Sequence, residues 1–130
     1  MLSRLDQTFS ENSHALDVRV RRQQLLAGNI ANADTPHYKA RDLDFQAAMN
    51  RSAATLAMQV TDSRHLPLPA DAAGAGDALF RQDTPVGLDG NNISLDKEQA
   101  AFAENSLGYQ AQLNFMGAKL RHLMTAIKGG

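Results

Sequence analysis

The apolar residues of this chain gather into two long stripes, one at each end, with a broken middle between them. Leu2, Leu5, Phe9, Leu16, Leu26 and Ile30 keep the three- and four-residue spacing of one helix face, and no Pro or Gly precedes Gly28. Asn12, Arg19 and Gln23 stand where further apolar residues belong, so the stripe is imperfect. The spacing predicts a first helix over 1–33, about 40 Å long at the usual rise. Its end falls between residues 27 and 33, because Gly28, Asn29, Asn32 and Asp34 weaken it and Pro36 disfavours helical geometry at Thr35. At the other end, Phe102, Ser106, Tyr109, Leu113, Met116, Leu120, Leu123 and Ile127 alternate steps of four and three. That is coiled-coil spacing, broken only by Ser106. Asp96 is placed to cap this helix, with Gln99 completing a variant capping box. Lys128 suits the carbonyl end and Gly129-Gly130 stops the chain's last helix, predicted over 96–128 and about 45 Å long.

Between the stripes the pattern changes. Residues 34–41 read as an ordered corner, and 42–57 as a shorter helix with Asp42 or Asp44 near its start and Leu43, Ala47 and Leu56 among its apolar contacts. Residues 58–95 are rich in loop formers: Pro67, Pro69, Pro85, Gly74, Gly76, Gly87 and Gly90 break any long element. Within them 70–76 carry only small side chains with little to bury and are expected to be mobile. Short extended pieces are expected around 58–60 and 78–81, and Asp89-Gly90 is a turn signal. The fold class is therefore mainly α: one domain over 1–130, with long, coiled-coil-like terminal helices paired around a short middle helix and a partly mobile central segment.

Composition sharpens that picture. Among 130 residues Ala supplies 21, whereas Leu, Ile, Val and Phe together supply 28. Ala lets helices approach closely but buries little area, so a lone chain has a thin core and draws part of its stability from partners. Each terminal helix has one apolar stripe and a broad polar remainder, and such a helix needs a second surface. Pairing the two leaves flanks such as Leu25, Leu107 and Met124 beside the seams, which points to neighbours in an oligomer or filament. The competing architecture is a self-sufficient three-helix bundle acting as a small adaptor or export-related binding module.

Thirteen Lys plus Arg against fourteen Asp plus Glu give a formal charge of −1, which attracts neither nucleic acid nor anionic lipid at long range. Arg19, Arg21 and Arg22 form a local basic patch, read as a solvated helix face or an inter-subunit salt-bridge surface. Cys is absent, which excludes disulfides and thiolate ligands. The start has no signal-peptide-like apolar run, and no segment approaches the roughly 20 apolar residues that span a bilayer.

Chemistry is sparse. His14, His37, His65 and His122 lack metalloprotease spacing, and no phosphate-binding glycine loop or nucleophile elbow is present. The run from Asp89 fails as a calcium loop, with Ile93 at its fifth position and Ala100 at its twelfth. Asp42 and Asp44 read as helix-start residues. An enzyme using His65 with Asp62 is the least supported alternative. No catalytic residue, metal site or cofactor is expected.

The corner carries the most specific signal. Asn29-Ile30-Ala31-Asn32-Ala33-Asp34-Thr35-Pro36-His37-Tyr38-Lys39-Ala40-Arg41 is dense in residues that accept backbone donors, tolerate left-handed geometry or fix a torsion. It resembles the signature of the bacterial flagellar axial proteins, the rod and hook family. Asp42-Leu43-Asp44-Phe45, Thr61-Asp62-Ser63-Arg64-His65-Leu66 and Asp89-Gly90-Asn91-Asn92-Ile93-Ser94-Leu95-Asp96-Lys97-Glu98 resemble its short proximal-rod members. The 70–76 insert and Asn92-Ile93-Ser94 depart from that pattern.

The resemblance implies a structural component of the basal-body rod, working in the periplasm and transmitting torque through helix packing. Its terminal helices would pair in the inner core of a helical tube. Export would run through the flagellar type III apparatus, unfolded and without a cleaved signal peptide. Implied partners are copies of itself, other rod proteins, the rod-to-ring adaptor and the export apparatus, with no nucleic acid and no direct membrane spanning. The corner residues carried over are Asn29, Asn32, Thr35, Pro36 and Tyr38, and the second turn is Asp89, Gly90 and Asn91. Helix-packing positions are Leu5, Phe9, Leu16, Leu26 and Ile30 on the first helix. On the last they are Phe102, Tyr109, Leu113, Met116, Leu120, Leu123 and Ile127.

Overall fold

The computed structural model describes residues 2–50, 78–82 and 84–129. The expected helical turns of 51–57, the extended piece at 58–60, the 70–76 stretch, Asp62 and His65 lie outside those residues. Helix α1 runs over Leu2–Ala31, and residues 45–50 begin the short helix α2. Strand β1 (Arg41–Asp42) pairs antiparallel with β2 (Leu79–Phe80), Arg41 opposite Phe80 and Asp42 opposite Leu79. Helix α3 occupies Leu95–Lys128. With 30 and 34 residues, the terminal helices are roughly 45 and 51 Å long. They pack against each other, so the fold is mainly α with long paired ends and a short middle helix.

Local chemistry sets each boundary. After Ala31 the chain turns on Asn32, whose amide bonds back to the Gly28 and Asn29 carbonyls at 3.1 and 3.2 Å. Asp44 caps α2: its Oδ1 accepts from the Ala47 amide at 3.1 Å. For α3 the expected cap is displaced. The helix begins one residue earlier than the Asp96 reading, and Ser94 is the N-cap, with no side-chain cap hydrogen bond. Asp96 and Glu98 sit inside the first turn, where a negative charge suits the exposed amide end of the helix. The Asn91 side chain fixes the entry, because its Oδ1 accepts from the Ile93 amide at 2.7 Å. Gly129, left-handed at φ 81°, closes the far end by donating to the Thr125 carbonyl.

Among the described residues the apolar core is small. Val18, Leu43 and Ala48 are buried together, with Leu25 and Phe45 packed against them, and Ala15, Leu26 and Ala40 are buried as well. It lies between α1 and the β1–α2 segment. The contact of α1 with α3 is built from other material.

Candidate assembly site

Two adjoining turns form the corner. Asn32 Nδ2 donates to the Gly28 carbonyl at 2.8 Å, and Thr35 Oγ1 donates to Asn32 Oδ1 at 3.1 Å. His37 then takes a left-handed φ of 60°, and its amide donates to the Asp89 carbonyl of the second turn at 3.0 Å. Gly90 is also left-handed, at φ 78°, and a Cβ there would collide with the His37 ring. Asn91, only 7% exposed, fastens the two turns together. Its Nδ2 lies within hydrogen-bond range of the Asn32, Ala33 and Thr35 carbonyls, at 3.1, 2.9 and 2.9 Å. The last carbonyls of α1 are met by the amides of Asn32 and Ala33, so Asn91 fastens the turn that follows the helix. Tyr38 is half-buried, its hydroxyl close to Gly28, while Thr35 and Pro36 are exposed.

Asn92 extends the fastening to the ribbon. Its Oδ1 accepts from the Ala40 amide at 2.7 Å and its Nδ2 donates to the Arg81 carbonyl at 3.0 Å. Asn92 is 4% exposed and is the connector between second turn, β1 and the chain after β2. The sequence reading set it among departures from pattern and missed this role.

Beneath the ribbon lies a buried charge network. Glu98 is fully buried and receives Arg81 Nη1 on Oε1 and Asn29 Nδ2 on Oε2, the latter at 3.0 Å. Asn29, itself fully buried, also donates to the Arg41 carbonyl at 2.7 Å and accepts from the Arg41 amide at 3.0 Å. Arg81 Nη2 reaches Asp42 Oδ2 at 2.7 Å, and Arg22 meets the same carboxylate at 3.0 and 3.3 Å. Burial alone would raise the Asp42 pKa. The Arg22 hydrogen bond, the Leu43 amide, Arg81 and the Arg22 charge outweigh it and hold the carboxyl below its ordinary value. Asp42 is thus an ion-pair centre rather than a helix-start residue, and Arg22 faces inward. Arg19 also leaves the surface patch, lying 4.7 Å over the Phe45 ring; only Arg21, paired with Asp17, fits the solvated-face reading.

The inner face of the α1–α3 pair continues as a polar ladder. Gln23 Nε2 donates to Ser106 Oγ at 2.7 Å, and Asn105 Nδ2 donates to the Arg19 carbonyl at 2.8 Å and to Gln23 Oε1 at 2.6 Å. Arg19 Nε donates to Gln112 Oε1 at 3.1 Å, and Gln112 Nε2 to the Asn12 carbonyl at 3.2 Å. Asn12, Arg19 and Gln23, the apparent interruptions of the first stripe, are the contact residues.

Part of the predicted α3 stripe, Leu113, Leu120 and Ile127, is therefore turned away from α1, while Ser106 bonds to it. Glu98 and Asn105 are the buried positions of α3, and Leu113, Leu120 and Ile127 are 44, 47 and 84% exposed. The physical reason is local: Asn105 and Gln112, one residue before Ser106 and Leu113, find acceptors and donors on α1, and that rotates the helix by about 100° per residue step. Phe102, Tyr109, Met116 and Leu123 lie half-buried at the edge of the contact. On α1 Leu26 is fully buried, while Leu5, Phe9, Leu16 and Ile30 are intermediate. Among the described residues no group of three or more His, Asp or Glu could hold a metal, and no helix is long and apolar enough to cross a membrane.

An asparagine-fastened corner thus sits between the paired terminal helices, beside a flank of exposed apolar residues on α3. Known proteins match the sequence of the chain from end to end. It is 40% identical to the flagellar basal body rod protein FlgB of Salmonella typhimurium over 137 aligned positions, covering 100% of this chain and 99% of that protein. The chain belongs to the FlgB family. It is 45% identical to FlgB of Cereibacter sphaeroides over 91% of both chains, and 34% identical to that of Escherichia coli over 100% of this chain and 99% of the other. No family model matches the chain. As a FlgB-family protein it is a structural, non-catalytic subunit of the flagellar basal body rod.

Proposed function

We propose that this FlgB-family subunit works in the proximal, periplasmic part of the rod and passes torque along it by helix packing. In this reading it contacts copies of itself, other rod proteins and the rod-to-ring adaptor. It reaches the rod through the flagellar export apparatus without a cleaved signal peptide. The observation that carries the reading is the uncovered side of α3, where Leu113, Leu120, Met124 and Ile127 are 44–84% exposed on a helix whose partner-facing side is polar. Apolar residues in that number along one flank are characteristic of a surface meant to be covered. The corner residues Asn29, Asn32 and Asn91 suit load transfer, because they tie both helices and the ribbon to one another through buried hydrogen bonds. A twisting force on one helix then reaches the other without sliding.

The test is complementation of a strain lacking the subunit. Leu120→Asp leaves the isolated chain folded, since the position is solvent-facing, but puts a charge into every lateral contact. The expected result is a chain that is still exported while rods, hooks and swimming are lost. Normal swimming with Leu120→Asp would refute the packing role.

A further inference from the structure

The second turn carries a chemically reactive pair, Asp89-Gly90. An aspartyl carboxyl carbon stands one methylene off the main chain, so the nitrogen of the next residue can attack it and close a five-membered ring. Glycine in that next place obstructs the attack least, because it has no side chain to crowd the nitrogen. Asp89 lies exposed at the tip of its turn, where water for the later hydrolysis is at hand. In an unfolded chain nothing holds the two groups apart.

The folded corner occupies every group that this ring closure needs. The Gly90 amide donates to the Gly87 carbonyl at 2.9 Å, and the other end of the same peptide unit, the Asp89 carbonyl, accepts from the His37 amide at 3.0 Å. Asp89 Oδ1 accepts from the Asn91 amide at 3.1 Å and lies over Gly87, where a Cβ would stand 2.9 Å from it. The Gly87 amide closes the turn on the Asn91 carbonyl at 2.7 Å, and Lys39 Nζ holds the Gly90 carbonyl at 2.9 Å. A ring nitrogen carries no proton, so closure surrenders the Gly87 bond outright. Swinging the peptide unit onto the carboxyl carbon also takes the Asp89 carbonyl away from His37.

We propose that Asp89-Gly90 is a spontaneous isomerisation site, silent while the corner is closed and active in any chain whose corner is open. The Gly90 nitrogen forms a bond to Asp89 Cγ, while the amide proton and the carboxyl hydroxyl leave together as water. Water then opens the ring at either carbonyl. Attack at Cγ restores aspartate; attack at the former main-chain carbonyl leaves isoaspartate, with the chain running through Cγ and a free carboxylate on Cα. Composition and oxidation state are unchanged. Isoaspartate adds one methylene to the main chain between the two turns and moves the acceptor of the His37 amide onto a charged branch. The corner has no room for that, because even a Cβ on Gly90 would collide with the His37 ring. Two hydrogen bonds must open before the ring can close, which slows the reaction roughly thirtyfold in the folded chain.

The experiment ages the full-length chain in urea and, at the same pH and temperature, in purified basal bodies. Isoaspartate is then counted in the tryptic peptide 82–97 by electron-transfer fragmentation. The expected result is steady accumulation at Asp89 in urea and a rate roughly thirtyfold lower in basal bodies. Asp89→Asn keeps the Oδ1 acceptor and closes the same ring with loss of ammonia, so its deamidation should show the same ratio and gives a second clock. Asn91→Ala should speed the reaction in the free chain under native conditions, and the Asp89→Asn clock stands on its own if that buried change disturbs folding. Chains aged in urea and returned to native buffer should lack hydrogen-exchange protection at the His37 amide in proportion to their isoaspartate. Equal rates in urea and in basal bodies, no isoaspartate in urea, or full protection of His37 in isomerised chains would each overturn the proposal.

Discussion

Asn91 holds the corner together through a single side chain, and removing that side chain has a calculable effect. Its Nδ2 faces three main-chain carbonyls at 2.9–3.1 Å and its Oδ1 accepts the Ile93 amide at 2.7 Å. An amide has two donor protons, so two of the three carbonyls are fully satisfied at once, and the side chain supplies three hydrogen bonds in all. At about 1 kcal/mol net for each, Asn91→Ala should lower the unfolding free energy by about 3 kcal/mol. Burial makes the upper side of that range relevant, because water reaches the abandoned carbonyls poorly when the residue is only 7% exposed. Urea unfolding of the full chain, followed by circular dichroism, gives the difference directly. Asn91→Asp is the decisive companion. It keeps the acceptor for Ile93 but turns a carboxylate toward three carbonyl oxygens, so it should destabilise more than Ala does. A loss under about 0.5 kcal/mol for Asn91→Ala, or an Asp variant more stable than the Ala variant, would refute the fastening role.

Three further outcomes follow from the same contacts. Arg81→Met strands the buried Glu98 and removes one partner of Asp42, and should cost about 3–5 kcal/mol. Adding Glu98→Leu should recover more than half of that loss, as measured by a double-mutant cycle in urea. Gly90→Ala forces a Cβ onto a left-handed backbone and into the His37 ring; a melting experiment should show a loss above 1 kcal/mol or so, relieved in part by His37→Gly. The Asp42 carboxyl is held low in the folded chain, so the unfolded chain takes up its proton first as pH falls. Its contribution is complete above the unfolded pKa of about 3.9 and disappears as pH drops through the folded value. The difference in unfolding free energy between the native sequence and Asp42→Asn should therefore be constant near neutrality and shrink only below about pH 4.

The long helices were legible because periodicity over thirty residues leaves few alternatives, and the Gly-Asn-Pro cluster marked where α1 had to stop. The corner was legible as a corner for the same reason: residues such as Asn32 and Gly90 have conformational uses whatever surrounds them. What the stripes could not reveal was rotation. Leu113 and Gln112 are neighbours about 100° apart on a helix, and the hydrophobic rule favours Leu113 for the inner seam. The folded chain prefers Gln112, because Arg19 and the Asn12 carbonyl offer it partners across the interface. The charge network escaped for a related reason. Arg22, Asp42, Arg81 and Glu98 are separated by up to 76 positions, and nothing local announces that they meet. Glu98 gave one usable hint, sitting a turn before Phe102 on the same face of α3, where a solvated glutamate would not be expected.

The division of labour between seam and flank has a consequence for how such a subunit assembles. Hydrogen bonds between fixed donors and acceptors are short-ranged and directional, so a polar seam between α1 and α3 tolerates neither a slip along the axis nor a rotation. Apolar contacts are non-directional and scale with area, so a leucine flank supplies affinity without dictating register. Placing the first kind inside the subunit and the second outside lets each chain settle its own geometry before neighbours add stability. The reverse arrangement, with apolar seam and polar flank, would give a stable lone bundle with little reason to associate. For a shaft that turns under load, the order matters further. Force entering through the flank meets a pair of helices that cannot slide past each other until several hydrogen bonds break together, the buried contact of Asn29 with Glu98 among them.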